Sequence, residues 1–135
     1  MIAVLLAGLV ACRAAESTAL DRCAKAKTTA VKAWDDVLPA MRSAADRARI
    51  AASNCDSPTR DQPPCDGQMS DRFLDRSLTT ARLAEVERAR EAAVAGDMLA
   101  VREATREVKD APNVLAAKHA AESAYTVCKG GGGAP

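Results

Sequence analysis

The sequence has very few aromatic residues, and its positive and negative charges are almost balanced. One Trp, one Tyr, one Phe and one His occur among 135 residues. The 19 Lys and Arg residues nearly balance the 18 Asp and Glu residues, which leaves a formal net charge of +1. A chain without a basic excess has no electrostatic reason to bind nucleic acid, so we expect no nucleic-acid partner.

The sequence also lacks a long hydrophobic run. Its longest apolar stretch covers residues 2–11 and ends at Cys12. Ten residues in a helix rise only about 15 Å, roughly half of a bilayer core of about 30 Å. The length is typical of the apolar region of an export signal. The last four residues, Leu9-Val10-Ala11-Cys12, resemble the lipobox of bacterial lipoproteins.

The lipobox resemblance implies cleavage before Cys12 and lipidation of that cysteine by a diacylglyceryl thioether and an N-acyl chain such as palmitate. Residues 1–11 would then be a signal peptide and residues 12–16 a lipidated tether. In Gram-negative lipoproteins an Asp after the cysteine retains the protein at the inner membrane. Arg13 stands there instead, which implies an outer-membrane anchor facing the periplasm. The alternative is an ordinary export signal in which Cys12 is incidental.

The other four cysteines are Cys23, Cys55, Cys65 and Cys128, and an even number in an exported chain predicts two disulfides. The nearest two are ten residues apart and His119 is the only imidazole, which is unlike a zinc site, so we expect no metal and no cofactor. A four-helix bundle predicts the pairs Cys55–Cys65 and Cys23–Cys128. Three long helices would instead bring Cys128 to Cys55 or Cys65.

Large apolar residues are scarce once residues 1–11 are set aside. Leu, Ile, Val, Met, Phe and Trp together number 21, while the whole chain has 31 Ala. Alanine buries little area, so the hydrophobic free energy leaves a thin margin over chain entropy. Two cross-links of about 2 to 4 kcal/mol each could then decide whether the domain folds.

The remaining pattern predicts an all-α fold, a small disulfide-stapled bundle of three to four helices within residues 17–129. A stripe with helical spacing runs from Ser17 to about Ser53 and keeps its phase across Pro39, which predicts one long first helix kinked there. Further helices are expected at about 71–95, after the cap Asp97, and from 110–112 to Cys128. Residues 54–70 are a predicted loop, and the Gly-rich 130–135 a flexible tail.

Catalytic patterns are missing from the sequence, and we expect no enzyme. His119 has no second imidazole or paired nucleophile, so a surface role is expected for it. Asp35 and Asp36 are adjacent on a helix, diverge by about 100°, and cannot flank one substrate bond. Trp34 lies on the apolar stripe and is predicted to be core.

These features favour a non-enzymatic, lipid-anchored envelope protein that binds another envelope protein or spaces it from the membrane. The alternative is a periplasmic chaperone-like or small-ligand binding protein with an Ala-lined groove between helices. Exposure of Met69, Leu74 or Leu78 would favour the binding protein. Burial of all three would favour a plain spacer.

Overall fold

The computed structural model describes the backbone of residues 2–56, 65 and 69–130, and the side chains of 18–55, 65, 69 and 71–130. Within that part it contains four helices and no strand: α1 (Ile2–Asp56), α2 (Met69–Ala95), α3 (Met98–Glu107) and α4 (Leu115–Gly130). The all-α prediction is confirmed. The predicted tail beyond Gly130 lies outside the described residues, as do most of the positions between α1 and α2.

The first helix is longer than the sequence pattern indicated. It begins at Ile2 instead of Ser17 and continues through Pro39 as one element. The run before Ser17 is rich in Ala and Leu, which favour helix, and contains no proline. Pro39 is exposed, and the kink expected there stays a prediction.

A tight turn joins α2 to α3. Gly96 has a φ of 76°, a left-handed conformation that glycine adopts without steric cost, and its N–H donates to Ala92 O at 3.1 Å. Asp97 then caps α3, as predicted, because its Oδ1 accepts from Leu99 N at 3.0 Å and from Ala100 N at 3.4 Å. The turn places α3 directly alongside α2.

The fourth helix begins three residues later than expected. Residues 112–114 form a turn, and α4 starts at Leu115. Val114 N donates to Ala111 O at 3.0 Å, and Lys118 N donates to Val114 O at 2.9 Å. Pro112 therefore belongs to the turn before the helix, where its missing N–H costs nothing.

The four helices form a ring in which α1 packs against α2 and α4, and α3 packs against α2 and α4. The largest side chains that are almost fully buried come from α1, α2, α3 and the turn before α4: Trp34, Val86, Val101, Thr105 and Val114. Alanines fill most of the remaining interior positions, so the backbones can approach closely. Trp34 is 0% exposed, which confirms its assignment to the core.

Two disulfides close the structure in the predicted pairing. Cys23 and Cys128 have their Cα atoms 4.7 Å apart, and Cys55 and Cys65 have theirs 5.0 Å apart. Both distances lie in the usual range for a disulfide. The Cys23–Cys128 bond agrees with four helices and excludes the alternative of three long ones.

The two disulfides should differ in their contribution to stability. Replacing Cys23 and Cys128 together with Ala should lower the free energy of unfolding by about 5 kcal/mol, and replacing Cys55 and Cys65 by about 3 kcal/mol. The reason is that the first bond closes a loop of 105 residues and the second a loop of 10. Urea unfolding followed by circular dichroism measures both values. Equal losses would contradict this account.

Thr105 is a polar residue in the centre of this small core. It is 0% exposed, and its Oγ1 has no hydrogen-bond partner among the described residues. A buried hydroxyl without a partner carries a desolvation cost of about 1 to 3 kcal/mol. The folded bundle therefore carries a desolvation cost at Thr105, which an apolar residue of the same shape would remove.

Thr105→Val should raise the free energy of unfolding by about 1 kcal/mol, because it replaces that hydroxyl with a methyl group of similar size. Thr126→Val is the matched control, since Thr126 is exposed and its Oγ1 donates to Glu122 O at 3.1 Å. The control should be neutral or slightly destabilising. Urea unfolding of both variants tests the difference, and a destabilised Thr105→Val would refute it.

Candidate interaction surface

The four-helix part of the structure ends at the turn between α3 and α4. Lys109 N donates to Glu85 Oε2 at 3.1 Å, which ties the turn to α2. Asn113 Nδ2 donates to Met41 Sδ at 3.4 Å, which ties it to α1. Lys118 Nζ, from α4, closes the turn by donating to Val108 O at 2.7 Å. These hydrogen bonds therefore hold the α3–α4 turn at the height of Met41 and Glu85 along the bundle axis.

Beyond this height the described residues are those of α1 and α2, together with Cys65. Helix α3 has 10 residues and α4 has 16, whereas α2 has 27 and α1 has 55. Residues 42–56 of α1 and 69–84 of α2 consequently project as a two-helix hairpin, which the Cys55–Cys65 bond closes at its end. We call this segment the distal hairpin.

The distal hairpin is held together by small side chains and flanking ion pairs. Ala45, Ala48 and Ala52 of α1 are buried. At the base of the hairpin Arg42 Nε lies 3.6 Å from Glu87 Oε1, and deeper in the bundle Arg90 Nε donates to Asp35 Oδ1 at 2.8 Å. Both pairs join α1 to α2, and because their side chains are largely exposed each contributes at most about 1 kcal/mol.

Four large apolar side chains of the distal hairpin are exposed, and Ile50 of α1 is one of them at 51%. Met69 is 45% exposed, Leu74 is 58% exposed and Leu78 is 45% exposed. Leu74 and Leu78 lie one turn apart and share a face of α2. Exposure of Met69, Leu74 or Leu78 is expected of a binding protein, whereas burial of all three is expected of a plain spacer. All three are exposed. Neighbouring exposed leucines mark an interaction site more often than single ones do.

The exposed leucines extend a row of α2 residues that faces α3 higher in the bundle. The row continues with Glu85, which bonds to Lys109, and with Ala92, which faces Ala100 of α3 across a shallow depression. Its spacing alternates between three and four residues, as one helix face requires. Leu74 and Leu78 therefore occupy the position that α3 would cover if α3 were longer.

A cavity of about 200 Å³ lies where this uncovered face meets the α3–α4 turn. Met41 and Ala44 line it from α1, Thr79 and Arg82 from α2, and Val114 from the turn. Its lining combines apolar side chains with polar and charged ones, among them Glu85, Lys109 and Asn113. Thr79 and Arg82 of the lining follow Leu78 along α2, whereas neither Leu74 nor Leu78 lines the cavity.

The other residues that the sequence singled out do not converge. His119 is exposed on α4 and lines neither the cavity nor the α2–α3 depression. Asp35 pairs with Arg90, whereas Asp36 Oδ2 accepts from Lys32 Nζ at 2.8 Å. That hydrogen bond and the Asp36 charge raise the pKa of Lys32 above its ordinary value of 10.5. The two carboxylates serve different partners.

No group of three or more His, Cys, Asp or Glu side chains converges within the described part of the chain. Cys12 lies in the helical backbone of α1, but its side chain is outside the described residues. Among the helices that the structure describes, none is long and apolar enough to cross a membrane. Neither a protein-family model, nor a curated protein, nor a solved structure matches the chain.

Sequence reasoning identified the decisive leucines but not the surface they form. The sequence contains one signal for this surface, which is the difference in length between α2 and α3. Asp97 and the turn around Pro112 bound α3 and keep it short. A helix that short cannot cover the whole of α2. The ion pair between Asp35 and Arg90 joins residues 55 positions apart and leaves no local signal in the sequence.

His119→Ala should leave the free energy of unfolding within about 0.5 kcal/mol of the wild type, because the side chain is exposed and has no partner among the described residues. Trp34→Ala is the contrasting variant and should cost about 3 to 5 kcal/mol. Thermal and urea unfolding test both. A large loss in the His119 variant would show that the residue has a structural role.

Proposed function

We propose that this chain is a non-enzymatic, lipid-anchored envelope protein that presents an apolar docking surface at a distance from its membrane. The anchor is Cys12, and the docking surface is the uncovered face of the distal hairpin. In a Gram-negative cell the site of anchoring is the outer membrane, facing the periplasm. The observation that carries the binding role is the exposure of Met69, Leu74 and Leu78.

The relative placement of anchor and surface supports this function. Cys12 precedes the bundled part of α1, whereas the hairpin end with Cys55 follows it. From Cys23 to Cys55 the helix advances by 32 residue steps and rises about 48 Å. A protein held at Cys12 would therefore place its exposed leucines far from the lipid surface, where other envelope components can reach them.

The spacer role and the binding role are compatible in this arrangement. A plain spacer needs length and rigidity, which α1 supplies. It does not need two exposed leucines on one helix face, which carry a solubility cost. The leucine row therefore favours docking of a partner at the end of the spacer. A helical partner fits best, since α3 covers the same face of α2 higher up.

Replacing the anchoring cysteine tests the first half of the proposal. Cys12→Ser should release the protein from the membrane fraction and abolish incorporation of a labelled palmitate, because the acyl chains contribute about 0.8 kcal/mol per buried methylene. Cys55→Ser and Cys65→Ser together serve as the control and should stay anchored. A soluble wild-type protein that carries a free Cys12 thiol would refute the anchor.

Photocrosslinking in cells tests the second half. A benzoylphenylalanine at Ala81, which is exposed on α2 next to the leucine row, should give a crosslinked adduct. The same group at the exposed Ser123 of α4 is the control and should give none. The adduct should disappear when Leu74 and Leu78 are both changed to Gln. Absence of an adduct at Ala81 would overturn the docking role.

A further inference from the structure

We infer that the cavity beside the α3–α4 turn binds a free α-amino acid with a small apolar side chain, of which leucine is the representative. The side chain enters the cavity, and the ammonium and carboxylate groups stay at its mouth. The site is separate from the docking surface, because neither Leu74 nor Leu78 lines the cavity. It gives the protein a second binding function, for a small zwitterion instead of a helix.

Burial sorts the residues that line the cavity by depth. Three lining residues are nearly fully buried, and all three are valines: Val86, Val108 and Val114. Met41 and Ala44 of α1 are half-buried and add two more apolar side chains. The inner wall of the cavity therefore consists of apolar groups, and a hydrocarbon side chain gains free energy when it leaves water to contact them.

The volume of the cavity sets the size of that side chain. It is about 200 Å³, and the cavity is in part open to solvent. A closed apolar cavity of about 150 Å³ takes up benzene. The cavity next to the turn consequently has room for a branched side chain of about four carbons, with the charged end of the ligand at the mouth.

The lining residues nearer the solvent carry both signs of charge. Arg82 and Lys109 are exposed, and neither side chain forms an ion pair or hydrogen bond with any residue that the structure describes. Glu85 is half-buried, and its Oε2 accepts from Lys109 N at 3.1 Å, which leaves Oε1 for another donor. Glu85 also lies one turn from Arg82 on the same side of α2. Two cations and one carboxylate therefore lie around one mouth.

These groups match the two charges of an amino acid. The guanidinium of Arg82 and the ammonium of Lys109 are donors for the α-carboxylate. Glu85 Oε1 is an acceptor for the α-ammonium, and Asn113 Oδ1 is a second one, because Asn113 uses its Nδ2 to donate to Met41 Sδ. A simple carboxylate or a simple amine would use only half of this set.

The nearest competing carboxylate in the turn already has a partner. Asp110 follows Lys109 in the chain, and its Oδ1 accepts a hydrogen bond from Lys118 Nζ. Lys118 also donates to Val108 O at 2.7 Å, so the same side chain holds the turn in place. Lys109 is thereby left for a ligand in a segment whose backbone is already positioned, which lowers the entropy lost on binding.

Calorimetry on the full-length Cys12→Ser protein tests the ligand class. Free leucine should bind with a dissociation constant below about 100 μM. Isocaproate has the same skeleton without the ammonium group and isoamylamine the same skeleton without the carboxylate, and each should bind at least about tenfold more weakly. Glycine, which has no side chain, should give no measurable heat.

Two outcomes of this series would overturn the inference. The first is no binding of leucine, isoleucine, valine or methionine. The second is an affinity for isocaproate, isoamylamine or glycine that equals the affinity for leucine, because the site would then not recognise both charges together with the side chain.

Charge variants test the roles at the mouth. Arg82→Gln should weaken binding of leucine about tenfold and leave isoamylamine unchanged, because that ligand has no carboxylate. Glu85→Gln should weaken leucine and leave isocaproate unchanged, and the Gln oxygen can still accept from Lys109 N. Arg72→Gln is the matched control, since Arg72 is exposed on α2 and does not line the cavity. Equal effects of the Arg82 and Arg72 variants would contradict the site.

Filling the cavity tests where the side chain enters. Ala44→Leu should weaken binding of leucine at least about tenfold while thermal unfolding stays at or above the wild-type temperature, because the added isobutyl group occupies the same space. Ala111→Leu, which fills the cavity from the turn, is the second variant if the first one destabilises the fold. Ala100→Leu in the depression between α2 and α3 is the control and should bind normally. A folded, cavity-filled variant with wild-type affinity would refute the site.

The result is separable from that of the docking role. Changing Leu74 and Leu78 together to Gln should abolish the photocrosslink from Ala81 and leave the affinity for free leucine unchanged, because neither residue lines the cavity. Loss of leucine binding in this double variant would place the ligand on the docking surface and overturn the inference. A crosslink at Ala81 without any amino-acid binding would retain the docking role alone.

Discussion

The cross-link between Cys23 and Cys128 is the constraint on which the remaining architecture depends. It joins the start of the bundled part of α1 to the end of α4, across 105 residues. Once the two are joined, α4 must lie antiparallel to α1, and α3 must return beside α2 to reach it. Leu20, on the α1 stripe just before Cys23, is 57% exposed because the bundle ends there.

The interior explains why such a constraint is needed. Alanine is the commonest residue in the interior, and Trp34 is the largest side chain that is fully buried there. Trp34 Nε1 and Thr105 Oγ1 are buried without hydrogen-bond partners among the described residues, which costs stability. Small side chains permit close helix packing but yield little hydrophobic free energy. Covalent closure compensates by restricting the unfolded chain.

The difference in helix lengths connects this architecture to function. Capping by Asp97 and the turn around Pro112 limit α3 to 10 residues, while α2 runs for 27. The bundle can therefore cover only part of α1 and α2. The uncovered part carries the exposed Leu74 and Leu78, which α3 would cover if it were longer.

The sequence by itself determined the helical class, the cap at Asp97 and the burial of Trp34, because these follow from local periodicity and turn chemistry, which depend on neighbours in the chain. It left the disulfide pairing open between the alternatives of three and four helices, and the fold decided for Cys23–Cys128 and Cys55–Cys65. Sequence patterns gave the wrong start for α1 and α4 and left open whether Met69, Leu74 and Leu78 are covered. Only the tertiary structure decided that they are exposed, because burial depends on how far α3 and α4 extend along α1 and α2. Pairing of Asp35 with Arg90 was likewise decided by the fold, since helices distant in sequence must first be set in register.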